Sequence, residues 1–271
     1  MRTADFFATH PVFTRDEFVA ARGADRERSP RTADSLLTRQ VAAGSLLHVR
    51  RGLYAVVPPG TRVEECRPDP YLLASKLSAD ATVSHHAALQ FRGKAYSVWH
   101  RFAVTTLAHV RPFSSQGSEF IVVKPPKAVR ERSDLGGGIV SEPYAGGTVR
   151  VTTLERTLVD VLDQPALCGG WEELWRSLEM VEFFDLDAVV EYALLLRSAL
   201  TAARVGLFLE QHQEQLFVED RHLEALGETA PKQPRYLDTT REPGRLVQRW
   251  NLIVPERVLR RSWEEDAHAL S

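Results

Sequence analysis

Residues 14–57 change from a helical to an alternating pattern of apolar residues, and this order constrains the fold more than any other stretch of the chain. The stretch begins with Thr14 three positions before Glu17, which is the spacing of a capping box at a helix N-terminus. Phe18 continues the apolar stripe of that helix, and Gly23 is placed to end it. The sequence therefore predicts a first helix that starts at Thr14 and stops near Gly23.

A second helix is predicted after the polar run of residues 24–28, which is typical of a turn. Ser29 is placed to cap this helix, Pro30 occupies its first position, where a missing N–H costs nothing, and Gly44 ends it. Its buried and flanking face is predicted to hold Leu36, Leu37, Gln40 and Val41. Its first two turns are polar and contain Arg31, Thr32, Asp34 and Ser35. In a helix that enters the major groove, these positions meet base edges.

The apolar residues after Gly44 alternate in two short runs, which predicts a two-stranded hairpin. The runs contain Leu47 and Val49, then Leu53, Ala55 and Val57. Arg50, Arg51 and Gly52 lie between the runs, at the tip. A charged tip alone indicates no more than a soluble turn. Directly behind a capped helix pair, however, paired arginines are well placed to reach phosphate oxygens or a minor groove, so we interpret the stretch as a winged helix-turn-helix.

The predicted DNA contacts come from the turn, the second helix and the hairpin tip. They are Arg28, Ser29, Arg31, Thr32, Ser35, Arg39, Arg50 and Arg51. A single helix reads only a short half-site, so we expect a monomer or weak dimer in solution that pairs on double-stranded DNA. We place a DNA-binding domain at residues 1–60 and a second region at residues 61–271, with a subdivision near residue 165 left open.

The net charge of −2 hides an asymmetry between the two halves of the chain. Residues 1–150 contain 21 Lys and Arg against 14 Asp and Glu, a balance of +7, whereas residues 151–271 contain 13 against 22, a balance of −9. The first half can therefore meet phosphates, and the second half is repelled by them.

Several classes of protein are disfavoured by the composition. No run of about 18 apolar residues exists, and the N-terminus MRTADFFATH lacks the basic-then-apolar order of a signal peptide. We therefore expect a cytoplasmic protein without a membrane partner. Cys66 and Cys168 are the only cysteines, so neither a disulfide framework nor a zinc site is supported. We expect no metal and no cofactor.

From residue 69 onward, short helical patterns alternate with strand-like runs, which predicts an α+β fold. Asp69 and Ser84 are predicted to cap two helices. Three runs rich in β-branched or aromatic residues are predicted as strands, at residues 99–106, 118–124 and 147–151. The pattern is strongly helical over residues 171–203 and extended over residues 234–254.

The segment VTTLERTLVD predicts a well-capped helix. Thr152 and Glu155 have capping-box spacing, and Arg156 and Asp160 form an i, i+4 ion pair on one side. We interpret this pair as structural rather than catalytic, because no third group stands near it in sequence. The aromatic residues that follow exceed what a small helical core hides, so this half is predicted to present a surface. They are Trp171, Trp175, Phe183 and Phe184.

An enzyme acting on nucleic acid is the competing class, and it needs clustered carboxylates for metal ions or a nucleophile with its base. Asp185 and Asp187 alternate so that both could reach one metal, but at a helix start they equally act as a cap and a dipole-favoured acid. His85 and His86 point to different helix faces and cannot hold one metal between them. We therefore predict no catalytic residue and a protein that is not an enzyme.

Several motifs, taken in order, resemble those of a known family, the AbiEi antitoxins of type IV toxin–antitoxin and abortive-infection systems. The motifs are VRRGLYAV at the end of the winged helix, VSHHAAL, VTTLERTLVD, RVGLFLEQ and the closing WNLIVP. Each motif is weak alone, whereas their order and spacing along nearly the whole chain are specific. The turn at residues 24–28 departs from the pattern, because it is longer than the tight turn expected of this family.

The resemblance implies an α+β protein in which the winged helix-turn-helix is followed by a mixed α/β C-terminal antitoxin-type region. It implies a bacterial transcriptional autorepressor that binds repeats in its own promoter. Its functional partner is a nucleotidyltransferase-like toxin encoded beside it, with which it forms no stable complex. The family also includes stand-alone members, so a regulator without a toxin is one alternative, and a nucleic-acid-processing enzyme is the other.

Overall fold

The computed structural model describes residues 3–23 and 30–263, without the side chains of residues 23, 30 and 31. Its first elements are α1 (Thr3–Thr9), β1 (Val12–Thr14), α2 (Arg15–Gly23), α3 (Pro30–Ala42), β2 (Leu46–Arg50) and β3 (Leu53–Val56). The middle of the chain contains α4 (Pro70–Ser75), β4 (Thr82–Val83), α5 (His86–Phe91), β5 (Arg101–Thr105), β6 (Phe113–Ser115), β7 (Ser118–Val123), α6 (Lys127–Arg130), β8 (Ile139–Tyr144) and β9 (Gly147–Thr152). The remainder contains α7 (Leu154–Asp163), α8 (Trp171–Glu179), α9 (Leu186–Leu195), α10 (Ala199–Gln211), α11 (Asp220–Thr229), β10 (Arg235–Tyr236), β11 (Arg245–Val247), β12 (Leu252–Val254) and α12 (Glu256–Arg260). Helices and strands mix along the chain, which confirms the predicted α+β class.

Packing divides the chain into two compact units. Within the described ranges, the first unit is built from residues 1–83, 100–123 and 140–151, and the second from residues 84–99, 124–139 and 152–271. The domain boundaries predicted at residue 60 and near residue 165 each fall inside one of these units and stay predictions.

The first unit begins with the predicted capping box at the start of α2. The Glu17 amide donates to Thr14 Oγ1 over 3.2 Å, and the Thr14 amide donates to a carboxylate oxygen of Glu17 over 2.8 Å. Two backbone N–H groups that have no partner inside the helix are thereby satisfied. The spacing seen in the sequence therefore fixes the first residue of α2.

An aromatic core joins α1 to α2 in this part of the chain. Phe6, Phe13 and Phe18 are buried, and their ring centroids lie 5.1 to 5.9 Å apart. Leu37 of α3 belongs to the same cluster. The three helices thus share one core, which is flanked by a small antiparallel sheet of order β1-β3-β2.

β2 and β3 form the predicted hairpin, but the buried side of β2 differs from the prediction. Leu46 is buried, whereas Leu47 and Val49, predicted to face inward, are only half-buried. The pairing of the two strands also shifts register between His48 and Arg50. Both faces of β2 are partly covered, since Leu46 belongs to the core of the three helices while Leu47, on the opposite face, is half-buried.

A six-stranded mixed sheet completes the first unit, in the order β6-β7-β5-β4-β9-β8. β5 pairs in parallel with β7 and antiparallel with β4, and β4 in turn pairs in parallel with β9. The three predicted strand runs correspond to β5, β7 and β9. Asp69 caps α4 as predicted, because its carboxylate accepts from the amides of Tyr71 and Leu72 over 2.9 and 3.0 Å.

The second unit is mainly helical, and α7, α9 and α10 pack together at its centre. Leu158, Trp175 and Phe208 are fully buried there. Trp250 lies against Gly206 of α10, where any Cβ would collide with the indole ring. A three-stranded sheet of order β10-β12-β11 lies in the same unit. None of the described helices is long and apolar enough to cross a membrane.

Two predicted helix caps are displaced by one residue. Ser84 does not cap the helix after it, because His85 occupies the cap position with φ 54° and α5 starts at His86. The Ser84 hydroxyl is buried and hydrogen-bonds the His85 ring over 2.9 Å. Likewise Thr153, rather than Thr152, caps α7, because Thr152 is the last residue of β9. Strand pairing, which a local pattern does not contain, decides both positions.

The predicted Arg156–Asp160 pair is present and buried. Arg156 Nε lies 3.3 Å from a carboxylate oxygen of Asp160, and Arg156 Nη1 donates to the carbonyls of Leu135 and Gly137 over 2.8 and 2.6 Å. The Tyr192 hydroxyl donates to Asp160 over 2.9 Å. The pair therefore joins α7 to α9 and to the glycine-rich turn before β8, which is a structural role.

Three of the four aromatic residues predicted to form a surface of the second half are core residues. Trp171, Trp175 and Phe184 are buried, whereas Phe183 is 74% exposed. The prediction was wrong for the three because the helices of this unit enclose one large core rather than a small one.

Candidate nucleic-acid interface

α3 presents a polar stripe on its exposed side. Thr32, Ser35 and Arg39 are exposed, and their spacing of three and four residues places them on one face of the helix. The opposite side is buried in the aromatic core through Ala33 and Leu37. The structure therefore brings together three of the residues that the sequence predicts to contact DNA.

Arg15, the first residue of α2, is tied to Asp34 of α3. Arg15 Nε donates to Asp34 Oδ1 over 2.6 Å and Nη2 donates to Oδ2 over 2.8 Å, which is the forked geometry of a strong arginine–carboxylate pair. This hydrogen bonding holds the pKa of Asp34 below its usual range. Asp34, predicted among the base-contacting positions, instead connects the two helices, and its charge is compensated beside the polar stripe.

The hairpin tip holds its two arginines differently. Arg51 is exposed and has no side-chain partner among the described residues. The Arg50 guanidinium lies 4.8 Å from the ring centroid of Phe113, and its Nη1 is 3.5 Å from the carbonyl oxygen of Arg111. Gly52 has φ 75°, a conformation that glycine adopts at little cost, and so closes the turn. Arg51 therefore faces solvent, whereas Arg50 is held against β6.

An open cleft of about 650 Å³ lies between the hairpin tip and the start of α2. Its lining contains basic side chains from several elements and a single carboxylate side chain. The basic residues are Arg15, His48, Arg50, Arg51 and Lys76, and the carboxylate is that of Asp16. Arg15 is paired with Asp34 and Lys76 with Glu17, so the excess positive charge of the cleft comes from Arg50 and Arg51 at the hairpin tip. A concave surface with an excess of one charge raises the local concentration of ligands of the opposite charge, so the tip side of this cleft favours an anion.

Lys76 reaches the cleft from the end of α4 and pairs with Glu17. Burial raises the pKa of Glu17, but hydrogen bonds from Lys76 and Thr14 outweigh it, and the net pKa is below the usual range. The ionised Glu17 therefore serves two purposes, because it completes the capping box and holds Lys76 at the start of α2.

Part of the predicted interface lies outside the described residues. This part comprises Arg28, Ser29, the predicted turn at residues 24–28 and the side chain of Arg31. Of the predicted contacts that are described, those exposed are Thr32, Ser35, Arg39 and Arg51. Arg50 is half-buried because it packs on Phe113.

Sequence reasoning missed the basic residues that line the cleft from other elements, namely Arg15, His48 and Lys76. The sequence contained a hint for Arg15, because a cation in the first turn of a helix is unfavourable beside the helix dipole. Such a residue is expected to have a compensating partner. Lys76 carried none, since it lies 59 residues from its partner Glu17 and no local pattern relates the two.

The residues considered for an enzyme have structural partners. The Asp185 carboxylate accepts from the amide of Ala188 over 3.1 Å, which confirms it as the cap of α9. Asp187 accepts from Arg221 and hydrogen-bonds the His222 ring over 3.1 Å. Within the part of the chain that the structure describes, no three or more His, Cys, Asp or Glu residues are grouped so that they could hold a metal ion.

Comparison with known proteins supports the fold. No family model and no curated protein matches this chain. One of the solved structures that match is the crystal structure of the RV2827C protein from Mycobacterium tuberculosis, with a TM-score of 0.58 and 20% sequence identity. The alignment covers 96% of this chain and 92% of that chain. At this identity the likeness shows the α+β fold alone.

Proposed function

We propose that the protein is a DNA-binding transcriptional autorepressor in which residues 3–57 form a winged helix-turn-helix. The observation that carries the proposal is the polar stripe of α3 beside a hairpin that exposes Arg51, within the basic half of the chain. In this assignment α3 enters the major groove, and the hairpin is the wing. Thr32, Ser35 and Arg39 contact base edges, whereas Arg51 and the basic cleft contact phosphates.

We further propose that the protein is the antitoxin of a type IV toxin–antitoxin system. The order of the motifs along the chain supports this role, as does the division of charge between the halves. The acidic half, with its balance of −9, is repelled by DNA and is therefore available for neutralising a nucleotidyltransferase-like toxin.

DNA binding by the full-length protein is expected to depend steeply on salt. The logarithm of the affinity for a duplex from its own upstream region should fall linearly with the logarithm of salt concentration, by about 0.9 for each phosphate neutralised. Two copies on a repeated site should give a slope of about −3 to −6. Fluorescence anisotropy titrations over a series of salt concentrations measure this slope. Binding that is insensitive to salt, or no binding to the upstream sequence, contradicts the proposal.

Two substitutions distinguish contacts with base edges, which determine sequence specificity, from contacts with phosphates, which position the protein on DNA. Ser35→Ala should lose about 1–3 kcal/mol for the operator and much less for random duplex, because a base contact is lost. Arg51→Ala should weaken both duplexes equally and reduce the salt slope by about one, because a phosphate contact is lost. The matched controls are Ser141→Ala, exposed on β8, and Arg62→Ala, where the arginine is paired with Glu65. If the Ser35 and Arg51 variants behave alike, the assignment of recognition helix and wing is wrong.

A further inference from the structure

We infer that the DNA-contacting surface extends beyond the wing onto residues 111–113, where Arg111 makes a second contact with the sugar–phosphate backbone. This inference rests on the proposed function and names a part of the interface that lies outside residues 3–57. The partner is duplex DNA, contacted through its phosphates and not through its bases.

Residues 111–113 lie directly against the hairpin tip. The carbonyl oxygen of Arg111 is 3.5 Å from Arg50 Nη1, and the Phe113 ring packs under the same guanidinium, 4.8 Å away. These residues are separated from Arg50 by about sixty positions in the sequence. A phosphate backbone that lies against this side of the tip therefore passes close to residues 111–113.

Phe113, two residues after Arg111, is anchored in the sheet. The Phe113 ring stacks on Phe120, with centroids 4.6 Å apart and planes inclined by 9°, and Phe120 of β7 is fully buried. Phe113 and Phe120 are also paired residues of the antiparallel strands β6 and β7. Arg111 lies two residues before Phe113, so its backbone is held beside the hairpin tip, and its exposed side chain can turn toward a phosphate.

Arg111 differs from two other exposed arginines of the first unit in having no carboxylate partner among the described residues. Among the exposed arginines of the first unit, Arg62 pairs with Glu65 and Arg101 with Glu119. Arg111 is exposed, and in the part of the chain that the structure describes its guanidinium has no carboxylate partner. It therefore remains available for an anion.

Arg111 adds a third arginine to the surroundings of the hairpin tip. The backbone carbonyl of Arg111 contacts the Arg50 guanidinium, and Arg51 is the next residue of the tip, so a polyanion on this surface meets several positive charges. A nucleic acid strand carries a phosphate at every nucleotide, so one strand can contact more than one of these arginines.

The test is Arg111→Ala in the full-length protein. The contact from Arg50 uses the backbone carbonyl of Arg111, so the substitution removes the guanidinium and leaves that contact in place. Affinity for operator and random duplex should fall by the same factor, about fivefold near physiological salt, and the salt slope should become shallower by about 0.9. Arg111→Lys should retain most of the affinity, because a phosphate also accepts a point charge.

The control is Arg101→Ala, which removes an exposed but paired arginine from the same sheet and should change neither affinity nor slope. Thermal unfolding of each variant checks that the fold is retained. If the wild-type protein binds no duplex, the proposed function fails. If wild type binds and Arg51→Ala weakens it while Arg111→Ala changes nothing, the inference fails alone. A loss confined to the operator also overturns it, since that is the signature of base reading.

Discussion

Glu17 shows how one side chain links local to long-range structure. Its carboxylate accepts the Thr14 amide within the capping box and pairs with Lys76 from the end of α4. The capping box could be predicted from sequence, because it depends on a three-residue spacing. The Lys76 contact could not, because it depends on how α4 packs. The polar stripe of α3 was likewise predictable, because it depends on the spacing of residues along one helix. The ion pair between Asp34 and Arg15 was not, because it depends on how α2 and α3 pack.

The stability of the first unit is expected to depend on pH through Glu17. Its pKa is depressed in the folded protein, so its contribution is fully present above its ordinary pKa of 4.5 and is lost as pH falls through the lower folded value. Glu17→Gln should therefore lower the Tm at neutral pH, and the difference from wild type should narrow in acid. The loss should be at most about 1 kcal/mol, because the pair with Lys76 is partly exposed.

Thermal unfolding followed at several pH values measures this difference, with the exposed Glu64→Gln as the control. A Tm difference that stays constant from neutral to acidic pH means that Glu17 does not act through its charge.

At the scale of elements, apolar periodicity and caps predicted which stretches are helices, but tertiary packing set where several of them begin. α2 starts where the capping box places it, whereas α5 and α7 start one residue later than predicted, after β4 and β9 have taken their pairing partners. The buried face of β2 was also unpredictable, because an alternating pattern does not indicate which of the two faces meets the core that contains Leu46.

The Arg156–Asp160 pair offers a test of what holds α7 in place. Arg156→Met leaves the Asp160 carboxylate buried with Tyr192 as its remaining partner, so the free energy of unfolding should fall by about 3–5 kcal/mol. Urea denaturation measures this loss. The double change Arg156→Met with Asp160→Leu should lie closer to wild type, because no charge is then buried alone.

The exposed pair of Arg260 and Glu256 has the same i, i+4 spacing and serves as the control. Arg260→Met should cost no more than about 0.5 kcal/mol. Equal losses at Arg156 and Arg260 would show that burial is not what makes the first pair important.

At the scale of the whole molecule, the sequence predicted the α+β class. It did not predict that each of the two compact units is built from three separate segments of the chain. The first unit takes strands from as far along the chain as residue 151, because β4 pairs with β9 through Val83 and Val151. Such a pairing joins segments about seventy residues apart, and neither propensity nor charge indicates it. The position of Arg111 beside the hairpin tip is unpredictable for the same reason.

Neutralisation of a toxin is expected to survive the loss of DNA binding. Because the first unit extends past residue 60, point variants of the full chain are a cleaner test than a truncation. The double variant of Ser35→Ala and Arg51→Ala should fail to repress its promoter. Expressed with the neighbouring reading frame, both from unrelated promoters, it should restore growth as well as wild type does. If neither protein restores growth, the chain acts as a stand-alone regulator; if only wild type does, neutralisation requires DNA binding.

The packing of Arg50 on Phe113 has a consequence for the entropy of binding. An arginine side chain has about 2 kcal/mol of rotamer entropy to lose when it is immobilised. Arg50 loses its freedom when the chain folds, because its guanidinium is already held over the Phe113 ring. The neighbouring Arg51 remains free to choose its rotamer until a ligand arrives. In the proposed complex with DNA, the ordering of side chains at the hairpin tip would therefore fall mainly on Arg51, because Arg50 is already preorganised.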